Sequence, residues 1–561
     1  MITFSKDPKR AEHEMHAVIF YLVTFGHIDG DFDDDERGFV RATIRRLIDH
    51  RARQAMPDAA DAVREEVVTK FTAHFHEVFE GIDQSVKELF TESVSADEDP
   101  KAFVHSRLKV RCFEIFQSFD RAGQEQLMAL IDELLMADGV AHPAEVQFRA
   151  ELAQLLEVDL GVELEGDGEP ESKVAVDAPR DATPSFLDHP WFKPFEFHFS
   201  SDPATIQKQV TADRELIDRA LAVLATQRAA GAGRLAGKQS VADLAGGEPF
   251  LDGHVYARMP KASESYELTV LGDLHGCYSI LKATILQSRF FDRVEEYRKD
   301  PTRPYPLLVL LGDYIDRGLF SLNGVLRTVL QLFVTAPDHV VFLRGNHEYY
   351  VEVNGNMYGG VKPAEAINTL KPLLPIDVFR HYRTLFEEMP NMLLFDRFLF
   401  VHGGIPKDRL IKERWKDLAS LNDPDVRFQM MWSDPSTADV IPADLQDQAS
   451  RFAFGRMQFR AFMQRLGTHT MVRGHEKVEA GFAMPFDDEH ARLITLFSAG
   501  GRDNGDLPRE STYRGVTPMA LTITSDRGIT KITPWAPDWA SYNDPERNAF
   551  FKVPPEIVHR A

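Results

Sequence analysis

Gly272-Asp273-Leu274-His275-Gly276 is followed along the chain by Gly312-Asp313-Tyr314-Ile315-Asp316-Arg317-Gly318 and then by Gly345-Asn346-His347-Glu348. Each stretch comes at the end of an apolar, β-rich run, in residues 266–271, 307–311 and 340–343. Such a run predicts a buried strand that leads into a tight loop bounded by glycine. Open α/β sheets bind ligands beyond the carboxyl ends of their strands, where glycine lets the backbone turn close to a metal. The three stretches therefore predict an α/β fold with a site at one sheet edge.

Two histidines later in the chain repeat this pattern. His402 follows the strand-like residues 398–400, and His475 follows residues 470–472. The chain thus offers six candidate metal ligands, which are Asp273, His275, Asp313, Asn346, His402 and His475. Carboxylate or amide oxygen combined with imidazole nitrogen suits manganese, iron or zinc better than calcium or an iron–sulfur cluster. We therefore expect two divalent metal ions as cofactors, with manganese as the main expectation and iron or zinc as the alternatives.

This ligand set suits chemistry at phosphorus. Two cations about 3.5–4 Å apart can share one carboxylate and one hydroxide, and can clamp both oxygens of an in-line displacement. Asp313 lies between the two half-sites in chain order and is expected to bridge the cations. His347 follows a ligand directly and can serve as general acid, with Asp316 holding its ring in the productive tautomer. The planar guanidinium of Arg317 can bind two phosphate oxygens at once.

The sequence resembles the phosphoprotein phosphatases of the serine/threonine type. The resemblance covers about residues 262–535 and rests on seven motifs in the family's order, which are GDLHG, GDYIDRG, RGNHE, VHGG, WSDP (432–435), RGHE and LFSA (496–499). It implies a two-sheet metallophosphoesterase sandwich flanked by helices, and hydrolysis of phosphoserine or phosphothreonine esters by metal-activated hydroxide. It also implies that one metal is held by Asp273, His275 and Asp313. The other would be held by Asp313, Asn346, His402 and His475.

The chain departs from the family pattern at two places. The family has a second phosphate-binding arginine about seven residues before the Phe-Gly that corresponds here to residues 454–455. Gln448 occupies that place, so Arg451, three residues on, is the candidate for this role. After the LFSA motif, the aromatic loop of the family is replaced by the glycine-rich residues 500–505. This replacement leaves inhibitor sensitivity and substrate choice open.

Residues 1–157 are organised differently and predict an all-α bundle, because apolar residues such as Val18, Leu22 and Phe25 recur at helical spacing. A weak repeat is present, in which Asp29-Gly30 precedes Glu36 as Asp138-Gly139 precedes Glu145. The duplicated pattern resembles tellurite-resistance TerB-like helical bundles, whose acidic turns can hold a cation. We interpret the bundle as a docking or regulatory module for a partner.

The acidic turn at residues 29–35 does not have EF-hand spacing. Asp34 stands where that loop needs glycine, and Val40 stands where it needs a bidentate glutamate. We therefore interpret the turn as a solvated start of the next helix, where carboxylates are favoured by the helix dipole. A loose cation site is the alternative.

The rest of the chain is divided by composition. Residues 158–184 are rich in Glu, Asp, Gly and Pro and predict an acidic flexible linker. Residues 185–260 form an aromatic and helical extension that is expected to pack on the catalytic domain, with a Gly- and Ala-rich mobile loop at 228–247. Residues 261–535 are the predicted catalytic domain, and residues 536–561 a C-terminal strap across it.

Composition limits the partners. The formal net charge of −23 argues against a nucleic-acid backbone or an anionic membrane as the main partner. The apolar run at residues 17–25 is too short to span a bilayer, and the two cysteines, Cys112 and Cys277, indicate no disulfide framework, so a cytoplasmic location is expected. The expected substrate is a phosphoprotein or a small phosphoester.

Three other functions stay open. The first is a small-molecule phosphoesterase such as a dinucleoside polyphosphate hydrolase, which shares the core motifs. A nucleic-acid phosphoesterase is disfavoured by the charge, and a non-catalytic scaffold is disfavoured because no ligand position is missing.

Overall fold

The computed structural model describes residues 4–5, 7–28, 32–90, 92, 94–95, 98–136, 143–155, 174–182, 188–261, 263–526 and 528–560. By its internal contacts the chain divides into two compact units. The first unit comprises Met1–Val94, Glu98–Gly161 and Ser436–Gly455. The second unit comprises Ser95–Asp97, Val162–Pro435 and Arg456–Ala561.

The first unit is helical, as the apolar periodicity predicts. Its N-terminal part contains α1 (Pro8–Gly26), α2 (Asp34–Ala55), α3 (Asp61–Leu89), α4 (Pro100–Gln117), α5 (Arg121–Leu134) and α6 (Pro143–Leu155). Val18, Leu22 and Phe25 of α1 are fully buried together with Phe79 of α3 and Ile131 of α5. Burial of this apolar stripe provides the main stabilisation of the bundle.

The described part of the acidic turn before α2 contains the residue that caps this helix, Asp33. The side chain of Asp33 accepts a hydrogen bond from the Glu36 N–H at 2.8 Å, and the Glu36 side chain accepts one from the Asp33 N–H at 3.0 Å. This capping box satisfies two backbone donors that the first turn leaves free. It agrees with the interpretation of the turn as a helix start. Residues 29–31 and 138–139, which carry the TerB-like repeat, lie outside the described residues, so that resemblance stays a prediction.

Residues 436–455 were predicted to lie within the catalytic domain, but by their contacts they belong to the helical unit. Leu445 of α15 (Ala443–Gln446) and Ile441 just before this helix are buried in one apolar cluster with Val110 and Phe113 of α4. Glu114, the next residue of α4, accepts a hydrogen bond from the Thr437 N–H at 3.1 Å. The segment joins this unit because its apolar side chains are buried there.

The helices of the second unit are α7 (Pro203–Gly231), α8 (Tyr278–Gln287), α9 (Phe290–Lys299), α10 (Arg327–Thr335), α11 (Glu365–Leu370), α12 (Ile376–Glu388), α13 (Asp408–Arg414), α14 (Pro424–Met430) and α16 (Arg456–Leu466). The strands of the described chain are β1 (Val94–Ser95), β2 (Val174–Val176), β3 (Arg180–Asp181), β4 (Phe250–Asp252), β5 (Val255–Arg258), β6 (Tyr266–Leu271), β7 (Tyr305–Leu310), β8 (Val340–Phe342), β9 (Tyr350–Val353), β10 (Asn356–Gly359), β11 (Val361–Lys362), β12 (Met392–Phe395), β13 (Phe398–Val401), β14 (Asp434–Pro435), β15 (Ala453–Phe454), β16 (Thr470–Arg473), β17 (Phe482–Asp487), β18 (Arg492–Leu496), β19 (Ala520–Asp526) and β20 (Ile529–Ala536).

Two seven-stranded sheets form the centre of the second unit. The first sheet has the order β2-β20-β19-β6-β7-β8, with β3 also paired to β20, and the second has the order β17-β18-β16-β13-β12-β5-β4. In the first sheet β6, β7 and β8 are parallel, and in the second β13, β16 and β18 are parallel. These parallel strands are buried apolar runs, as expected for sheets that are covered on both faces. The predicted α/β sandwich flanked by helices is confirmed.

Part of the predicted linker pairs with the first sheet. Within residues 158–184, β2 and β3 both run parallel to β20, so these residues are strands rather than connector. The extension at 185–260 packs as expected, because Phe192, Phe195 and Phe199 lie in the apolar core of the sheets. The C-terminal tail contributes Tyr542 and Phe550 to the same core.

The predicted mobile loop at residues 228–247 begins inside a helix. Helix α7 continues to Gly231, and Arg228 on its last turn donates through Nε to the Gly253 carbonyl at 2.6 Å. A Cβ atom at Gly231 would lie 2.2 Å from the Leu251 carbonyl oxygen, so a close approach of backbone to β4 sets the helix end. Within the described ranges, no helix combines the length and hydropathy that crossing a bilayer requires.

Candidate metal centre

The six predicted ligands all come from the carboxyl ends of parallel strands. Asp273 and His275 follow β6, Asp313 follows β7 and Asn346 follows β8, all in the first sheet. His402 and His475 follow β13 and β16 of the second sheet. A bridge between Asp273 and Phe497 joins the end of β6 to the end of β18. Both sheets therefore deliver their polar loops to one edge of the sandwich.

The backbone of these loops is strained at the polar residues. Five of the eight described non-glycine residues with positive φ are predicted site residues, namely His275 (41°), Asp313 (54°), Asp316 (68°), Arg317 (64°) and His475 (70°). Left-handed backbone is unfavourable for residues that carry a Cβ, and it concentrates where the surrounding structure must fix a functional geometry. The clustering supports a functional rather than a purely structural role for these loops.

The ligand atoms form two clusters that share Asp313. In one cluster the ligand atoms of His275, Asp313 and His347 lie within 4.8 Å of one another. In the other cluster the ligand atoms of Asp313, His402 and His475 do so. The Asp313 carboxylate places one oxygen 3.5 Å from His275 Nε2 and the other 3.3 Å from His402 Nε2. Asp313 thus occupies the position that a bridging carboxylate requires.

The amide of Asn346 lies at the centre of the second cluster. One of its terminal atoms is 2.9 Å from His402 Nε2 and 3.1 Å from His475 Nδ1, and it is 3.2 Å from both carboxylate oxygens of Asp313. With the amide nitrogen turned towards them, its two N–H groups can donate to two of these four atoms. With the amide oxygen turned there, carboxylate, amide and imidazole lone pairs can converge on one point, where a cation would stabilise them. The donor set therefore fits a metal ion.

The electrostatics of the cluster also fit bound cations. Burial and the nearby Asp313 carboxylate raise the pKa of Asp273 to about 7. Burial lowers the pKa of His275 and of His402, so both imidazoles are neutral and have lone pairs for a metal. Buried carboxylates that repel one another are costly unless positive charge compensates them. Divalent cations would supply that charge.

Glu348 holds the loops of this centre together, a role that the sequence alone did not indicate. Its fully buried carboxylate accepts hydrogen bonds from the backbone N–H groups of Asp313 (2.8 Å), Tyr314 (2.9 Å) and Gly345 (3.0 Å). Burial and the neighbouring Asp313 raise the pKa of Glu348 to about 8. This side chain therefore fixes the loop after β7 against the loop after β8. The sequence offered one hint of this role, because Glu348 stands in the same motif as Asn346 and His347.

His347 and Asp316 form the predicted pair. His347 Nδ1 lies 2.8 Å from the Asp316 carboxylate, and both side chains are 3% exposed. The other oxygen of Asp316 accepts the Ala366 N–H at 2.8 Å, which fixes the carboxylate. Burial raises the pKa of Asp316 to about 6. These contacts hold the His347 ring in one orientation beside the ligand clusters.

The predicted phosphate-binding arginines have different surroundings. Arg317 donates from Nη1 to Glu365 at 3.0 Å, and its side chain is 13% exposed. Arg451 lies in the segment that belongs to the helical unit, where its Nη1 is 3.3 Å from the Glu92 carboxylate. This ion pair gives Arg451 a structural partner. Its assignment as the second phosphate-binding arginine stays a prediction.

Two further interactions at the centre were not predicted. The Arg473 guanidinium and the Asp434 carboxylate form a fully buried ion pair at 2.8 Å, which links the WSDP and RGHE motifs next to His475. The ring of Tyr513 lies 5.4 Å from the His275 ring, on a segment that follows the glycine-rich residues 500–505. Tyr513 thus places an aromatic side chain beside the ligands although the family's aromatic loop is absent.

Comparison with known proteins agrees with this geometry. Residues 266–479 match the calcineurin-like phosphoesterase family. A probable serine/threonine-protein phosphatase of Encephalitozoon cuniculi is 24% identical over 260 residues, which cover 46% of this chain and 51% of that protein. The serine/threonine-protein phosphatase 6 catalytic subunit of Caenorhabditis elegans is 27% identical over 242 residues, which cover 42% of this chain and 65% of that protein.

The aligned regions thus span about half to two thirds of these relatives. Among solved structures, a protein serine/threonine phosphatase from Saccharomyces cerevisiae with similarity to human phosphatase PP5 aligns with a TM-score of 0.37 and 18% identity, over 58% of this chain and 90% of that one. The family match and the named relatives support a hydrolase of the phosphatase class.

Proposed function

We propose that this chain is a dinuclear metal-dependent phosphatase that hydrolyses phosphoserine and phosphothreonine esters. The observation that carries the proposal is the Asp313 carboxylate, which is shared by two ligand clusters beside the His347–Asp316 pair. A carboxylate between two sets of imidazoles has a clear chemical use in a two-metal site. The relatives named above are serine/threonine phosphatases, which favours phosphoprotein substrates.

The metal ions would be held by the two ligand sets. One set is Asp273, His275 and Asp313, and the other is Asp313, Asn346, His402 and His475. When bound, divalent cations make water acidic enough to supply a nucleophile at neutral pH and stabilise charge on phosphate oxygens. The mixed oxygen and imidazole donors suit manganese, with iron or zinc as alternatives.

The chain's own acid is His347. Its Nδ1 bonds to Asp316 at 2.8 Å, so the proton available for transfer is on Nε2. Protonation of the leaving alkoxide oxygen matters for serine and threonine esters, because an alkoxide is a poor leaving group. Asp316 orients the ring and stabilises its protonated form. His347 therefore supports the release of a protein hydroxyl group.

Arg317 would bind the phosphate group. Glu365 accepts a hydrogen bond from Nη1 of Arg317 and holds the side chain in place. The planar guanidinium matches the geometry of two phosphate oxygens, which favours a phosphate group as its ligand. Since the guanidinium stays charged at all relevant pH values, it attracts the phosphate group throughout the reaction.

Metal analysis combined with a substrate panel tests this proposal. The purified chain is stripped with chelator, reloaded with manganese, iron or zinc, and assayed on phosphoserine and phosphothreonine peptides and on dinucleoside polyphosphates. We expect about two manganese or iron ions per chain and faster turnover of the phosphopeptides. Faster turnover of the dinucleoside polyphosphates would contradict the proposal and would indicate a small-molecule phosphoesterase. Metal binding without turnover of any ester would support a scaffold.

A further inference from the structure

A second group of candidate metal ligands lies in the helical unit. Apart from the sheet-edge centre, the described residues contain one other cluster of this kind, made of Glu12, His16 and His74. Glu12 and His16 lie one turn apart on α1, and His74 lies on α3, which packs against α1. Spacing of four residues puts two side chains on the same helix face. The cluster therefore spans an interface between two helices.

The geometry of this cluster is close to that of a coordinated ion. The ligand atoms of all three residues lie within 4.8 Å of one another, and His74 Nε2 is 3.7 Å from the Glu12 carboxylate. In a tetrahedral zinc site with bonds of about 2.0–2.1 Å, ligand atoms are separated by about 3.3 Å. Small rotations about the side-chain bonds would bring these three ligands to that separation, because Glu12 and His74 are about half exposed.

His16 provides an independent observation. Its Nε2 atom is buried and has no hydrogen-bond partner among the described residues. A buried polar atom without a partner costs free energy, and such an atom calls for an explanation such as a bound ion.

We propose that Glu12, His16 and His74 bind one zinc ion that links α1 to α3. Two imidazole nitrogens and one carboxylate oxygen form a donor set that zinc accepts in proteins, with a fourth position for water. Calcium and magnesium prefer all-oxygen ligands and are therefore not expected here. Because the ligands come from two helices, binding stabilises the packed form of the bundle over the unfolded chain.

Zinc titration of the full-length chain tests the proposal. Wild type, His74→Ala, Glu12→Gln and the control His76→Ala are compared by equilibrium dialysis with zinc measured by mass spectrometry. His76 is on α3 as well but lies outside the cluster, where Nε2 contacts the Arg41 carbonyl at 3.3 Å. The sheet-edge ligands are the same in all four proteins, so zinc bound there cancels in the comparison.

We expect His74→Ala to bind one zinc ion per chain fewer than wild type, Glu12→Gln to bind that ion at least tenfold more weakly, and His76→Ala to match wild type. Zinc should also slow amide hydrogen exchange in α1 and α3 of wild type and of His76→Ala only. Equal zinc content and affinity in wild type and His74→Ala would overturn the proposal. The same loss in His76→Ala as in His74→Ala would also overturn it.

Discussion

Asp313 is the residue on which both ligand clusters depend. Replacement by Asn keeps its shape but removes the negative charge between the two sets of imidazoles. We expect Asp313→Asn to lower metal content and to reduce turnover of an aryl phosphate by about 1,000-fold or more, because charge stabilisation by both metals is impaired. Metal analysis, turnover and circular dichroism check this expectation, with Asp292→Asn on the exposed part of α9 as control. Full metal content and normal turnover in Asp313→Asn would contradict the bridging role.

His347 allows a test of proton transfer that is separate from metal binding. In His347→Ala we expect both metals to stay bound, while turnover of alkyl phosphates falls at least tenfold more than turnover of p-nitrophenyl phosphate. The reason is that p-nitrophenolate leaves without a proton, whereas an alkoxide needs one. Asp316→Asn should show the same pattern more weakly, because it disturbs the ring's orientation. Equal losses on both substrates would show that His347 serves another purpose.

The individual site residues that could be predicted from the sequence are those that stand in short motifs. A strand end followed by Gly-Asp-x-His indicates such a site by itself, and all six predicted ligands meet at one edge. Glu365 and Tyr513 could not be predicted, because their roles come from contacts with Arg317 and His275 that are far away in the chain. Side-chain contacts of this kind depend on the packing of whole elements, which a short motif does not encode.

Asp83 on α3 connects three elements of the helical unit. Its carboxylate bonds to His27 at the end of α1 (2.9 Å), to Arg37 of α2 (2.8 Å) and to Lys87 of α3 (2.7 Å). Burial by itself raises the pKa of Asp83, but these hydrogen bonds outweigh burial and lower it to about 2. The network therefore stabilises the charged form of a side chain that is 4% exposed.

This network predicts acid sensitivity of the bundle. A carboxyl group whose pKa is lower in the folded than in the unfolded state stabilises the fold above its unfolded pKa of about 4, and this contribution is lost as pH falls towards about 2. The contribution is about 2 kcal/mol. The protection of amides in α1, α2 and α3 against hydrogen exchange, relative to the intrinsic exchange rate at each pH, should therefore fall between about pH 4 and pH 2. In Asp83→Asn this protection should already be lower at pH 7 and should change less on acidification. An unchanged pH profile in this variant would contradict the assignment.

Elements were predicted well where apolar periodicity is strong, as in α1 and in the strands before the metal ligands. They were predicted poorly where composition and packing disagree. Residues 228–247 were predicted to be a mobile loop because they are rich in glycine and alanine, but alanine favours helix and α7 continues to Gly231. Residues 174–181 looked like linker because of their charged surroundings. Their pairing with β20 depends on an edge strand that no local pattern indicates.

The chain as a whole passes between its two units several times, so the helical unit is not a simple N-terminal module. Residues 436–455 lie between two parts of the second unit in sequence, yet their apolar side chains are buried with those of α4. The hydrogen bond from Ser436 to Glu114 spans 322 residues of sequence. Such a contact could not be predicted from composition, because both partners have ordinary local patterns.

This arrangement predicts the behaviour of a shortened chain. Deletion of residues 1–157 removes Val110 and Phe113 and so exposes Ile441 and Leu445 to water. Exposed apolar clusters promote association, so we expect the shortened chain to aggregate or to elute as oligomers in size-exclusion chromatography with light scattering. A second shortened chain that also carries Ile441→Ser and Leu445→Ser should be more soluble. The full-length chain with these two substitutions serves as control, and its helical unit should be destabilised because a buried cluster is lost.

None of the six predicted ligands at the sheet edge lies in the deleted residues, so the soluble shortened chain should still bind metal there. We also expect it to turn over a small aryl phosphate, because the strands that carry the ligands have their own apolar core. Metal analysis and an aryl phosphatase assay on the monomeric fraction check both points. The shortened chain that keeps Ile441 and Leu445 could instead be monomeric and fully soluble. That result would contradict the inference that residues 436–455 must be covered by α4. Loss of metal binding in a folded shortened chain would show instead that the helical unit supports the metal centre.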